Sequence, residues 1–248
     1  MEKFLENCML CELRCGTDRL SGEVGRCGVG ASSWCFKHHL SFSEELALLP
    51  SYMVYFGGCN FRCAFCVQSP DSFSAGKGIK VVPTEFAQIL KDAAASGAKT
   101  INLLGGEPSL HLVTIRALAS ELNGTIPLVL NSNMYMTPEW FDLARGSVSI
   151  YLADFKFGPG ACADRIAGVP HYFETVTRNL KIAAEGARAQ VMVRHLLMPG
   201  HDECCLKPIQ NWMRSEMPGT SLNIMTGYVP AGRLVTQVGL SGEANNVT

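Results

Sequence analysis

Three cysteines in one short stretch, Gly57-Gly58-Cys59-Asn60-Phe61-Arg62-Cys63-Ala64-Phe65-Cys66, carry the strongest chemical signal in the chain. Their C-x3-C-x2-C spacing puts three thiolates on one loop, and no fourth cysteine follows closely. Three thiolates can hold three irons of a [4Fe–4S] cluster and leave the fourth iron without a protein ligand, open to a small molecule. A zinc site or an electron-transfer cluster is the competing reading of this spacing, and each normally takes four protein ligands.

A second motif is placed to serve the same site. Leu103-Leu104-Gly105-Gly106-Glu107-Pro108 closes an apolar run that reads as a strand, and in barrels of βα units the strand ends collect on one rim. Two glycines let the backbone approach a ligand closely, while strand-end carbonyls and Glu107 offer acceptors for an ammonium group. Asn131-Ser132-Asn133 ends the next strand, Asp154 and Lys156 the one after, and Arg194-His195 the one after that. A guanidinium can clamp a carboxylate at two points, and an imidazole moves protons near neutral pH. Side chains alternate along a strand, so Arg194 is read as ligand-binding and His195 stays open between site and structure. His111 reads as a helix-start residue, and Cys162, Cys204 and Cys205 as unliganded thiols.

The N-terminal segment offers a different chemistry. Cys8-x2-Cys11-x3-Cys15-x11-Cys27, with Cys35 as a substitute for one of the four, supplies enough sulfur for a closed four-thiolate site. Zinc and a second, fully ligated iron–sulfur cluster suit four thiolates equally, and the spacing does not choose. Zinc would fold the segment, whereas a cluster could also pass electrons. Eleven cysteines is an odd number, and a reducing compartment favours metal ligation over a disulfide framework.

These residues need a regular scaffold, and from about Tyr52 apolar strand-like runs alternate with amphipathic stretches. Strands are expected at 52–56, 100–104, 127–130, 147–155, 190–196 and 221–225. Helices are expected near 84–96 and 110–122, after Thr137-Pro138, and near 172–185 and 206–213. Six strands are fewer than the eight that close a barrel, so the expectation is an α/β fold with an open, partial (β/α)6 barrel. Residues 1–48 lack the alternation and are expected as a cysteine-rich, metal-binding cap outside the sheet. Residues 49–240 would form the barrel and 241–248 a flexible tail.

Composition narrows the partners. The 248 residues, 47% of them hydrophobic, can bury one sizeable core, and 21 basic against 22 acidic residues give no electrostatic footprint for nucleic acid or an acidic membrane. The opening residues are too charged for a signal-peptide core, and no apolar run reaches membrane-spanning length, so a cytoplasmic protein is expected.

Taken together, the cysteine loop and the Gly-Gly-Glu-Pro strand end resemble the radical S-adenosylmethionine superfamily. The resemblance implies that Cys59, Cys63 and Cys66 hold a [4Fe–4S] cluster, that Phe65 lies in the segment contacting adenine, and that 105–108 binds the methionine amino group. Within the superfamily the chain looks similar to proteins like the pyruvate formate-lyase activating enzyme. That likeness extends over the N-terminal cysteines, His39 with Glu44-Glu45, 131–133, 154–156, Val193-Arg194-His195 and Met198-Pro199-Gly200. In activating enzymes the segments like 131–133 and 154–156 bind the ribose and carboxylate of S-adenosylmethionine and, in part, a monovalent cation; Asn131 stands where they usually carry aspartate. The implied activity is reductive cleavage of S-adenosylmethionine to a 5′-deoxyadenosyl radical that takes hydrogen from a protein or peptide. The implied partner is an electron donor such as flavodoxin or ferredoxin. The rival readings are a small carboxylate or phosphate substrate, or a non-catalytic iron–sulfur electron carrier.

Overall fold

The computed structural model describes residues 3–186 and 189–232. After a short helix α1 (Lys3–Glu6) come strands β1 (Trp34–Ser41), β2 (Ser51–Phe56) and β3 (Ile79–Lys80). Helices and strands then alternate: α2 (Pro83–Ala95), β4 (Thr100–Gly105), α3 (Leu112–Leu122), β5 (Leu128–Ser132), α4 (Pro138–Leu143) and β6 (Ile150–Asp154). The described chain continues with α5 (Cys162–Ala167), α6 (Tyr172–Glu185), β7 (Gln190–Leu196), α7 (Lys207–Glu216) and β8 (Leu222–Met225).

The strands form one open sheet in the order β3-β1-β2-β4-β5-β6-β7-β8. From β2 to β8 every neighbouring pair is parallel, which accounts for all six expected βα strands. The fold is therefore α/β with an unclosed, mostly parallel sheet. Both faces of β4 are covered: Ile101 and Leu103 pack toward the helices, and Asn102 lies on the other face, all three with no exposed surface. The helices face the sheet through residues three and four apart, such as Tyr172, Val176, Leu180 and Ala183 of α6. Removing that apolar stripe from water is what holds such a helix down, since each buried large side chain contributes about 1.5–3 kcal/mol.

One expectation is corrected. Residues 1–48 do not all lie outside the sheet, because β1 pairs antiparallel with β2, from Cys35 opposite Phe56 to Ser41 opposite Ser51. The register shifts between Cys35 and Lys37, a bulge that lets a strand with half-buried polar residues follow its partner. The fourth βα strand is also shorter than expected, beginning at Ile150 because 144–149 form the turn leaving α4. The expected tail, 241–248, lies outside the described residues.

Candidate active site

The cysteine loop leaves the C-terminal end of β2 and is pinned on two sides. The backbone N–H groups of Arg62 and Ala64 donate to the carbonyls of Ala167 and Ile166 at the end of α5, at 2.9 and 3.0 Å. On the other side Glu107 N donates to Gly58 O at 2.9 Å, which continues the β2–β4 pairing beyond the strands. That approach needs glycine: a Cβ at Gly106 would lie 2.0 Å from Gly58 O, and Gly105 has φ +113. The loop is closed from a third side by the chain after β8, where the Tyr228 ring lies 6.4 Å from Phe65.

The three thiols share this pocket of backbone. Cys59 is buried, and its sulfur accepts from Phe61 N at 3.4 Å. Burial pushes its thiol well above the ordinary range, and Cys63 and Glu107 add to the rise. Burial likewise pushes Cys63 up to about 12, against the pull of the nearby Lys156 ammonium. The sulfur of Cys66 lies 3.3 Å from Ser72 Oγ. Phe65 packs edge-on to Phe157, 6.3 Å between ring centroids.

Glu107 and the end of β5 form a second group. The Glu107 carboxylate is 1% exposed and accepts from Ser132 Oγ at 2.7 Å, Asn133 N at 2.9 Å and Ser109 N at 3.1 Å. Burial raises its pKa against these bonds. Glu107 thus ties the ends of β4 and β5 together. Asn133 in turn donates to Asn60 Oδ1 at 2.9 Å, linking this strand end to the cysteine loop.

The third group lies on the face of the sheet opposite the helices. Asp154 and Arg194 are register partners on β6 and β7. The Arg194 guanidinium donates to Asp154 Oδ1 at 2.8 and 3.0 Å, to Asn131 Oδ1 at 2.7 Å and to Glu44 Oε1 at 2.7 Å. Lys156 holds the other Asp154 oxygen at 2.6 Å. Burial pushes Asp154 up, but Arg194 and Lys156 outweigh it and bring it down to about 2. Burial pushes Glu44 above its ordinary value, with Arg194 as the chief opposing pull. His195 falls on the opposite side of its strand, fully buried, with Nδ1 2.8 Å from Phe155 O. Strand alternation thus separates the pair, Arg194 to the polar face and His195 to the helix side.

The N-terminal cysteines gather beside the loop. Cys8, Cys11 and Cys27 are buried and Cys15 is exposed. Burial raises Cys8, with Arg19 opposing and Cys15 and Cys27 close enough to add to the rise. Cys11, raised by burial to about 12, feels both Cys27 and Cys8 and contacts the Asn60 side chain. Cys35 is not brought to them: it sits in β1, where its thiol donates to Lys37 O at 3.1 Å. His111 stands immediately before α3, as a helix-start residue would, but its ring does not cap the helix and instead lies between Ser33 Oγ and Gly57 O.

One grouping escaped the sequence reading. Among the described residues, Cys162, His201, Cys204 and Cys205 place their ligand atoms within 4.8 Å of one another, although they read as stray thiols. Cys162 is 39 or more residues away from the other three in the chain, so spacing alone hides the set. The signal that was available is His201-x2-Cys204-Cys205, which puts three side chains on one helical face.

Comparison with known proteins now gives the class. The family model of the radical SAM superfamily matches residues 53–213. The chain belongs to the radical S-adenosylmethionine superfamily and is an enzyme whose cofactors are a [4Fe–4S] cluster and S-adenosylmethionine, which sets aside the electron-carrier reading. It is 35% identical over 235 residues to the uncharacterized protein MJ0674 of Methanocaldococcus jannaschii, covering 92% of this chain and 68% of that one. It is 26% identical over 162 residues to the GTP 3′,8-cyclase of Haemophilus influenzae, where it spans 63% of this chain and 47% of the relative. Among solved structures, the methyltransferase TsrM of Kitasatospora setae superposes with TM-score 0.55 at 18% identity, covering 77% of this chain and 39% of that one. Streptococcus suis SuiB bound to its precursor peptide superposes with TM-score 0.52 at 12% identity, covering 76% and 45%. At these identities the structures speak for the fold alone. Among the described residues no helix is long and apolar enough to cross a membrane.

Proposed function

We propose that Cys59, Cys63 and Cys66 hold the catalytic [4Fe–4S] cluster, that the ends of β4, β5 and β6 bind S-adenosylmethionine, and that the enzyme takes hydrogen from a protein or peptide, in the manner of a glycyl-radical activase. The observation that carries this reading is the seating of the three thiols. One loop, fixed by α5 on one side and by Gly58–Glu107 pairing on the other, puts Cys59 and Cys63 within electrostatic reach of each other, of Glu107 and of Lys156. The donor set fits a cluster with one open iron, since it offers sulfur from three cysteines and the Asn60 Nδ2 beside it is buried without a partner. When bound, the cluster supplies the electron that splits S-adenosylmethionine into methionine and a 5′-deoxyadenosyl radical.

The chain's own groups then divide the labour of binding. Glu107 braces the strand ends, with Oε1 accepting from Ser132 and Ser109 and Oε2 from Asn133 alone, so backbone carbonyls around Gly105 and Gly106 and the remaining acceptor position of Oε2 are the acceptors for the methionine ammonium. Lys156, held by Asp154 and raised above its ordinary pKa, stays protonated as a partner for a carboxylate. Burial alone would lower it, and the Asp154 charge outweighs that. Phe65 supplies a flat apolar surface beside the loop for adenine. Asn131 and Arg194 set the polar floor on which Asp154 is fixed.

The same ion pairing bears on the substrate. Arg194 is held by Asp154 and Glu44, and Lys156, held by Asp154, is committed to the carboxylate of S-adenosylmethionine, so neither is left over to anchor a small dianion, which favours a polypeptide held by backbone contacts along the open sheet. The similarity to GTP 3′,8-cyclases supports the second reading, a small carboxylate or phosphate metabolite. An electron donor such as flavodoxin or ferredoxin and a cytoplasmic setting complete the proposal. Anaerobic turnover with deuterated candidate polypeptides should place deuterium in 5′-deoxyadenosine. Transfer only from small anions, with every polypeptide inert, would decide for the metabolite.

A further inference from the structure

Three sulfurs and an imidazole converge where the loops after β6 and β7 meet. Cys162 opens α5, while His201, Cys204 and Cys205 lie on the turn that leads into α7. The sulfurs of Cys162 and Cys204 are 3.6 Å apart and those of Cys204 and Cys205 3.8 Å apart. His201 Nδ1 lies 3.3 Å from Cys204 Sγ and 3.7 Å from Cys205 Sγ. A tetrahedral zinc ion with Zn–S of about 2.3 Å and Zn–N of about 2.0–2.1 Å has edges of about 3.8 Å between sulfurs and about 3.6 Å between sulfur and nitrogen. Four of the six separations are thus close to those one such ion requires, and all of the ligand atoms lie within 4.8 Å of one another. All four cysteine and histidine partners in this set are at least half-buried, and none of the three cysteines is in a disulfide.

The backbone is shaped for this set. His201 O accepts from Cys205 N at 3.0 Å and from Leu206 N at 3.2 Å, so a π-type turn runs over 202–206 where a regular helix would have begun. Such turns are uncommon and recur at functional sites. The loop after β6 lies directly against the turn: a Cβ at Gly158 would meet Cys204 O at 2.1 Å and Cys205 Cα at 2.8 Å. Only glycine permits that contact.

We propose that Cys162, His201, Cys204 and Cys205 bind one tetrahedral divalent metal ion, zinc by the chemistry of three thiolates and an imidazole. Four protein ligands close the coordination shell, so the ion is structural and has no open position for a reactant. Binding replaces the three thiol protons, which leave to solvent. The ion ties the start of α5 to the β7–α7 turn. The end of α5 supplies the Ala167 and Ile166 carbonyls that hold the Cys59–Cys66 loop, so the ion steadies that loop from one helix away. The inference stands independently of the role proposed for Cys59, Cys63 and Cys66.

The test is metal content of the full chain, purified anaerobically from zinc-supplemented cells, by mass spectrometry. Replacing Cys162→Ser with Cys204→Ser should remove one zinc per chain, whereas Cys8→Ser with Cys15→Ser should leave that zinc in place. Equal zinc in the parent and the Cys162→Ser/Cys204→Ser protein would overturn the proposal. If that pair does not fold, zinc-edge X-ray absorption on the Cys8→Ser/Cys15→Ser protein decides. Three sulfurs at about 2.3 Å and one nitrogen at about 2.0–2.1 Å support the site. A shell of oxygen and nitrogen only, or no zinc, overturns it.

Discussion

His111 is a histidine held neutral across the ordinary pH range by where it sits. Its ring is stacked on Phe56, with Nδ1 2.9 Å from Ser33 Oγ and Nε2 3.0 Å from Gly57 O. Burial, helped by the Arg19 charge, pulls its pKa from 6.5 to about 3. The unfolded chain binds a proton at pH 5 that the folded chain refuses, so stability is full above about pH 6.5 and falls as the pH drops toward 3. His111→Gln removes this linkage. Between pH 5 and 6, urea unfolding of the parent should lose up to about 1.4 kcal/mol more per pH unit than the variant does. Parallel pH profiles for the two proteins would show that His111 is not held neutral. Glu107, four residues earlier, illustrates a different limit on reading side chains from sequence. Its type suggested an acceptor for a ligand, but its three donors all come from the protein, from Ser109, Ser132 and Asn133. A residue's type announces its capacity, and only its neighbours show how much of that capacity is taken.

At the scale of elements, the six βα strands were legible because each is an apolar run between turn residues, as in Ile101-Asn102-Leu103 before Gly105-Gly106. Strand β1 was not, since Trp34-Cys35-Phe36-Lys37-His38-His39 has no apolar alternation. It is held by ladder hydrogen bonds to β2, with His38 Nδ1 2.7 Å from the Tyr52 hydroxyl. The site was legible to the same extent. The cysteine loop and the strand ends could be placed from their order along the chain, whereas α5, which holds that loop, is a short helix with no periodic stretch long enough to announce it. The close approach of β2 and β4 at Gly58 and Gly106 is the part most open to test. Gly106→Ala puts a methyl group 2.0 Å from a backbone oxygen that cannot swing aside. Iron bound after anaerobic reconstitution and S-adenosylmethionine cleavage should fall together, each by about fivefold or more, since overpacking of this kind costs about 1–3 kcal/mol. Retention of both at parent levels would mean that the two strand ends separate freely.

For the molecule as a whole, Arg194 joins distant parts of the chain. It connects Glu44 in the loop after β1 with Asn131 of β5 and Asp154 of β6, and the Glu45 carboxylate accepts from Asn223 of β8 nearby. The antiparallel edge and the parallel strands are thereby locked across the polar face of the sheet. Arg194→Met would leave Glu44 buried without its cation and Asp154 with Lys156 alone, a loss of about 3–5 kcal/mol in a denaturant titration. The variant Glu44→Gln with Arg194→Met should recover part of it, and a loss as large as in the single variant would rule out this charge coupling.

All of this structure converges on whether three sulfurs on one loop leave an iron open for S-adenosylmethionine. The direct measurement is product formation by anaerobically reconstituted protein given dithionite and S-adenosylmethionine. The parent should form 5′-deoxyadenosine and methionine, and the Cys59→Ala/Cys63→Ala/Cys66→Ala variant should form neither. A triple variant that still produced 5′-deoxyadenosine at the parent rate would contradict the account.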